Sequence, residues 1–221
     1  MAITTGGGSR MSTEPTGQSK EAYWKQQFEF LRVESLVWAL DADALMRSFD
    51  IVAQQAERDL DEVVQRAVRE AAGDDGKSAT SPSVRPYVPS VGPNAMMLGA
   101  LATETLLKGI AVSLPAVRTA IQSNDKSVAR RLWTHNLQDI AQLSGITLAL
   151  QEKTLCERLE CFLQWAGRYS TPKDPSQMMP RPLASGGTAP PNIYSSANFN
   201  AIRALVRRLR ALLPQIDSPQ A

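Results

Sequence analysis

The sequence predicts an all-α protein, and three observations predict it. Apolar side chains recur at helical spacing through most of the chain. No stretch alternates apolar and polar residues as a half-buried strand does. The breaks between periodic stretches are rich in Pro, Gly and Ser, the composition of turns and long loops. The expected architecture is an antiparallel helical bundle carrying an N-terminal helical hairpin or arm and long Pro/Ser/Gly loops.

Residues 1–20 contain no apolar core of a secretory signal and read as a tail. A first helix is expected over Glu21–Leu40, with Trp24, Phe28, Leu31, Ser35 and Trp38 at helical intervals. Asp41–Asp43 supplies a break and a helix start. The second helix is expected over Ala44–Ala71, where Leu45, Phe49, Val52, Ala56, Leu60, Val63 and Ala67 form one long stripe. These two helices make the arm of residues 21–72, joined by a linker or long loop over 73–93 to a bundle over 94–213.

Within that bundle, Ala95–Leu114 is the most apolar segment, carrying only Glu104 and Lys108 as charges. A helix apolar nearly all round belongs at the centre of a fold. Its length suits a membrane span, but each of its two charges would cost about 2.5–3.5 kcal/mol at mid-bilayer, so a buried helix and no membrane are expected. Glu104 precedes Lys108 by four residues, the favourable order for a same-face pair. The pair is read as a structural or interface ion pair, or as a polar site lining a cleft. Gly99 and Gly109 would allow close helix approach. Short helices follow over Ser127–Trp133 and from Thr134, the latter stopped by Gly145, then a longer one over Gln151–Ala166. In that longer helix Glu152, Glu157 and Glu160 are expected to face water. A second loop spans Ser170–Ser196, the last helix Ala197–Leu213, and a tail 214–221.

Composition narrows the function classes. The 24 basic and 22 acidic residues leave a net charge of only +2, so whole-chain electrostatics call for no polyanionic partner and any nucleic-acid contact must be local. Cys156 and Cys161 lie five apart on one helix and do not face each other for bridging. With one histidine in the chain, spacing alone assembles no metal site, and no cofactor is expected. A reducing, cytoplasmic setting follows from this cysteine usage.

The central region resembles a HEPN domain, an all-helical family linked to nucleic acid. The residues that carry the resemblance are Ala100, Glu104, Leu106, Leu107 and Lys108, then His135-Asn136-Leu137 with Ile140 and Ala141, then Trp165-Ala166-Gly167-Arg168-Tyr169 and Pro172. The match runs over roughly residues 93–172, with the last helix as a fourth member. It implies a bundle of four or five antiparallel helices that often dimerises. Many members cleave RNA without metal through an Arg and a His four to six residues apart. Others are inactive partners or binding modules.

Arg130 and His135 satisfy that spacing, and they are the candidate catalytic pair. Imidazole near neutral pH takes a proton from a ribose 2′-hydroxyl, while an arginine steadies charge on the phosphate. The sequence nevertheless departs from the catalytic pattern. Arg131, not a neutral polar residue, follows Arg130, and no histidine follows Arg168. In the last helix Arg203, Arg207, Arg208 and Arg210 are candidate RNA contacts, without aromatic interleaving for base stacking. The expectation is therefore a HEPN-like interaction module, homodimeric or bound to a protein partner, RNA-associated and non-catalytic. The alternative is a metal-independent endoribonuclease using Arg130 and His135.

Overall fold

The structure is a computed structural model of the 221-residue chain and describes residues 20–72, 90–169, 171–182 and 186–215. Most of the expected tail of residues 1–20, most of the 73–93 linker and most of the 214–221 tail lie outside the described residues. The protein is all-α. Among the described residues the helices are α1 (Lys20–Leu31), α2 (Ser35–Ala71), α3 (Gly92–Ser113), α4 (Pro115–Gln122), α5 (Lys126–Leu132), α6 (Leu137–Leu143), α7 (Leu150–Cys161) and α8 (Ser196–Arg210). A π-helical turn, Phe162–Ala166, extends α7.

Two compact units divide the chain at Arg32/Val33. The first contains α1, which has no buried residue. The second contains α2 to α8, so α2 belongs with the bundle and not with a separate arm. The helix break expected at Asp41–Asp43 lies instead at residues 32–34. Glu34 explains the position: its carboxylate accepts the Leu36 N–H at 3.3 Å, satisfying one of the orphan donors of a new helix. Asp41 and Asp43 continue α2 as exposed side chains, while Ala39 and Ala42 turn inward.

α3 is the hub. It packs most extensively against α2 and also meets α4, α6, α7, the π turn and α8. Fifteen of its residues are buried, among them Met96, Ala100, Leu106 and Leu107. By length and composition α3 is apolar enough to cross a membrane, and 78% of its most apolar window is buried inside the protein. Gly99 and Gly109 permit the close approach: a β-carbon at Gly99 would sit 2.8 Å from Ile202 Cγ2, and one at Gly109 would sit 2.8 Å from Trp38 Cβ. From the other side, α8 buries Phe199, Ile202, Leu205, Val206 and Leu209. Phe199 meets Phe49 of α2 edge to face at 6.0 Å between ring centroids.

The core-facing stripe of α2 holds for part of its length only. Phe49, Ala53 and Ala56 are buried, whereas the described side chains from Asp61 onward are all exposed, including Val63, Val64 and Val68. The inward positions expected for Val63 and Ala67 are therefore solvent-facing. The amphipathic pattern of α2 runs longer than the helices that cover it.

The loop before α8 departs from the expectation of no strand. Arg181–Pro182 (β1) pairs antiparallel with Thr188–Ala189 (β2), in the register Arg181 with Ala189 and Pro182 with Thr188. Two residues a side are too few to show as alternation in sequence.

Candidate functional site

The polar residues of α3 lie where its apolar surroundings leave them least water. Glu104 and Lys108 are 6% and 7% exposed. Lys108 Nζ donates to Glu104 Oε1 at 2.5 Å, so the helix satisfies its own two charges one turn apart. Withdrawing two charges from water costs several kcal/mol each, and it is tolerated only when the remaining lone pairs are also bonded. The other carboxylate oxygen meets that requirement through His135, whose Nδ1 lies 2.9 Å from Glu104 Oε2. A carboxylate only accepts, so Nδ1 carries the proton, and in the neutral ring Nε2 then holds the free lone pair.

The turn between α5 and α6 sets the reach of His135. Thr134 Oγ1 accepts the Asn136 N–H at 3.2 Å. Asn136 is the N-cap of α6, its side chain accepting the Asp139 N–H at 2.9 Å. Glu160 of α7 accepts the N–H groups of Leu137 at 2.8 Å and Gln138 at 3.4 Å. The first three orphan donors of α6 are thereby all satisfied, which stabilises a helix of only seven residues. At its other end Gly145, at φ +71°, closes a Schellman turn in which the Ile146 N–H reaches Ala141 O at 2.9 Å.

Glu160 therefore does not face water as expected. It is half-buried, and burial raises its carboxyl above the ordinary value, opposed by the two backbone N–H bonds.

The His135 side chain is 47% exposed although its Nδ1 partner is buried. Beside it Trp133 is 46% exposed. Lys108 Nζ lies 5.6 Å from the Trp133 ring centroid, and the Trp38 ring lies 5.9 Å from it. The site is a short polar column from core to surface: Lys108, Glu104, His135. Chemically it holds a half-exposed imidazole in one tautomer, the geometry of a proton acceptor positioned by a carboxylate. Among the described residues no group of three or more His, Cys, Asp or Glu side chains could hold a metal ion.

Arg130 stands apart. It is exposed on α5, and among the described residues no hydrogen bond or ion pair joins it to His135. Arg131 donates to Gln142 Oε1 at 3.1 Å and ties α5 to α6. The hydrogen bond that His135 makes among the described residues is to Glu104, not to Arg130.

The arginines of α8 are mostly committed. Arg203 donates to Asp50 at 2.9 Å and Glu57 at 3.1 Å on α2, and its guanidinium lies 5.4 Å from the Phe49 centroid. Arg208 forms two 2.8 Å bonds to Glu152, which also accepts the Ala149 N–H at the start of α7. Arg210 bonds Asp43 at 2.9 Å and Pro214 O at 2.9 Å. Arg207 is exposed, without an ion pair among the described residues. Three of the four cations are neutralised by carboxylates of α2 and α7 and act as ties between helices.

Sequence reasoning joined Glu104 to Lys108 through their spacing. It did not join either to His135 or Trp133, because nothing local signals a contact spanning 31 residues. Searches against family models, curated proteins and solved structures returned no match for this chain.

Proposed function

We propose that this chain is a HEPN-like helical interaction module that acts by association, dimeric or bound to a protein partner, rather than by turnover. The observation that carries the reading is the outer part of α2, where Val63, Val64 and Val68 are 60%, 57% and 58% exposed on a helix whose preceding turns are core. Burying such a side chain is worth about 1.5–3 kcal/mol, so Val64 and Val68, one turn apart on one face with Val63 at its flank and all left in water, make a surface suited to a partner. In the other unit, α1 by itself carries Trp24, Phe28 and Phe30, each more than half exposed. The free, buried thiols of Cys156 and Cys161 agree with a reducing, cytoplasmic setting.

The test is light scattering coupled to size exclusion, followed by affinity capture with the wild-type chain and a Val64→Asp, Val68→Asp variant. The expected result is a mass above the monomer, or a partner retained by wild type and lost by the variant. A monomer that retains nothing overturns the reading.

A second reading, a metal-independent endoribonuclease, is favoured by the 2.9 Å bond between His135 and Glu104. In it His135 Nε2 takes the 2′-hydroxyl proton, and Arg130, exposed one turn away in sequence, meets the phosphate only across a bound strand. RNA association of either kind would rest on Arg130 and Arg207, the arginines among those proposed that carry no ion pair among the described residues. The test is cleavage of single-stranded RNA in EDTA by wild type and His135→Ala; equal rates end this reading.

A further inference from the structure

We propose that the cleft between α7 and the β1–β2 hairpin binds a free α-amino acid with an apolar side chain. The proposal goes beyond the interaction-module reading and does not rest on it. The cleft has a volume of about 370 Å³, to which α7 contributes Glu157, Arg158 and Glu160 and the hairpin contributes Arg181. That volume is at the lower end of small-ligand sites, which run from about 300 to 1,000 Å³.

Two of these charged groups are short of a partner. Glu160 Oε1 accepts the Leu137 and Gln138 N–H groups, whereas its Oε2 accepts no hydrogen bond among the described residues. Burial raises this carboxyl, the N–H groups of Gln138 and Leu137 oppose the rise, and Glu157 and Asp139 add to it. A cation brought to Oε2 offsets that cost. Arg181 is exposed and makes no hydrogen bond or ion pair among the described residues. Its charge lies close enough to α7 to lower the thiol of Cys161, the residue after Glu160. Arg158, by contrast, is tied in place. It donates to Asn198 Oδ1 at 3.1 Å, and the same oxygen accepts the Ser195 N–H at 2.8 Å where α8 starts.

The balance of charge selects the ligand. With two carboxylates and two guanidiniums around the cleft, a ligand of a single sign meets like charge there whichever sign it carries. A zwitterion satisfies both free groups, its ammonium at Glu160 Oε2 and its carboxylate on the Arg181 guanidinium. The remaining surface is apolar, made by Pro182, Ala189, Pro190 and Pro191. Proline has no N–H and a fixed φ, so this surface offers ring carbons, withholds donors and needs little ordering on binding. The side chain that fits against it is apolar.

Titration of the full chain with L-leucine and L-phenylalanine, followed by ligand-observed NMR, tests the proposal. At least one of them is expected to bind with a Kd of about 1 mM or tighter. Hydrocinnamate and phenethylamine, each lacking one charge of phenylalanine, should bind about tenfold more weakly or not at all. Glu160→Gln keeps an oxygen for the α6 N–H groups, and Arg181→Gln alters an exposed side chain, so both variants should retain the wild-type circular dichroism. Each should weaken binding about tenfold. Failure of both amino acids to bind overturns the proposal. So does a single-charge analogue that binds as tightly as phenylalanine, or binding that either substitution leaves unchanged.

Discussion

Glu104 and His135 are 31 residues apart in sequence and 2.9 Å apart in space, and they join the most buried charge pair of α3 to the surface. The carboxylate is shared: one oxygen serves Lys108, the other the imidazole. Each bond makes burial of the carboxylate tolerable, so removing either partner acts chiefly through what it leaves behind.

Lys108→Met is expected to destabilise the fold by about 3–5 kcal/mol, because it strands a buried carboxylate. The double variant Lys108→Met, Glu104→Leu should recover much of that loss, since two apolar side chains of similar volume replace the pair. Urea denaturation of the four proteins of this cycle gives the coupling directly. Simple additivity of the two single losses would show that the pair does not act as a unit.

Because the chain holds one histidine, its ring tautomer is readable in isolation. Long-range ¹H–¹⁵N spectra above the titration of the ring should show the proton on Nδ1 in the wild type. Glu104→Leu removes the acceptor and should return the ring to the Nε2–H form that free histidine prefers. A wild-type ring already in that form would contradict the hydrogen bond to Glu104.

Glu160 makes a pH-dependent contribution whose sign follows from its environment. Burial raises its carboxyl above the ordinary value of 4.5, so the folded state binds the proton more tightly than the unfolded one. That contribution is complete below about pH 4.5 and is lost as pH rises through the raised folded value. Wild type should therefore lose stability relative to Glu160→Gln as pH is raised from 4 to 7 in thermal melts. A difference that grows in favour of wild type over this range would mean that the backbone N–H bonds outweigh burial.

Gly109→Ala tests the approach of α2 to α3. Alanine gains about 1 kcal/mol of helix propensity, but its β-carbon would meet Trp38 Cβ at 2.8 Å, an atom one bond from the α2 backbone. Trp38 cannot yield without moving α2, so a net loss of about 1–3 kcal/mol is expected. A stabilised variant in a denaturant titration would show that the two helices can separate freely at this point.

The thiols offer a check on the core around α7. Burial raises Cys156 to about 12, helped by Glu160, Glu152 and Glu157, and burial raises Cys161 to about 11 against the pull of Arg181. Neither should react with a disulfide reagent at pH 8 in the native protein, and both should react in denaturant. Fast native labelling of either would place it outside the core.

The sequence by itself determined the helical class, the place of α3 at its centre, the Glu104–Lys108 pair and the inward stripe of α8, from Phe199 to Leu209. All of these are local: periodicity and four-residue spacing state them within one helix. Tertiary structure alone decided the rest. It bonded His135 to Glu104, drew Glu160 from the water-facing side of α7 to the start of α6, and committed Arg203, Arg208 and Arg210 to carboxylates of other helices. It also left the stripe of α2 uncovered beyond Leu60, where the pattern of residues is the same but no described helix lies across it. Periodicity tells which face of a helix is apolar; only packing tells what that face meets and where the cover ends.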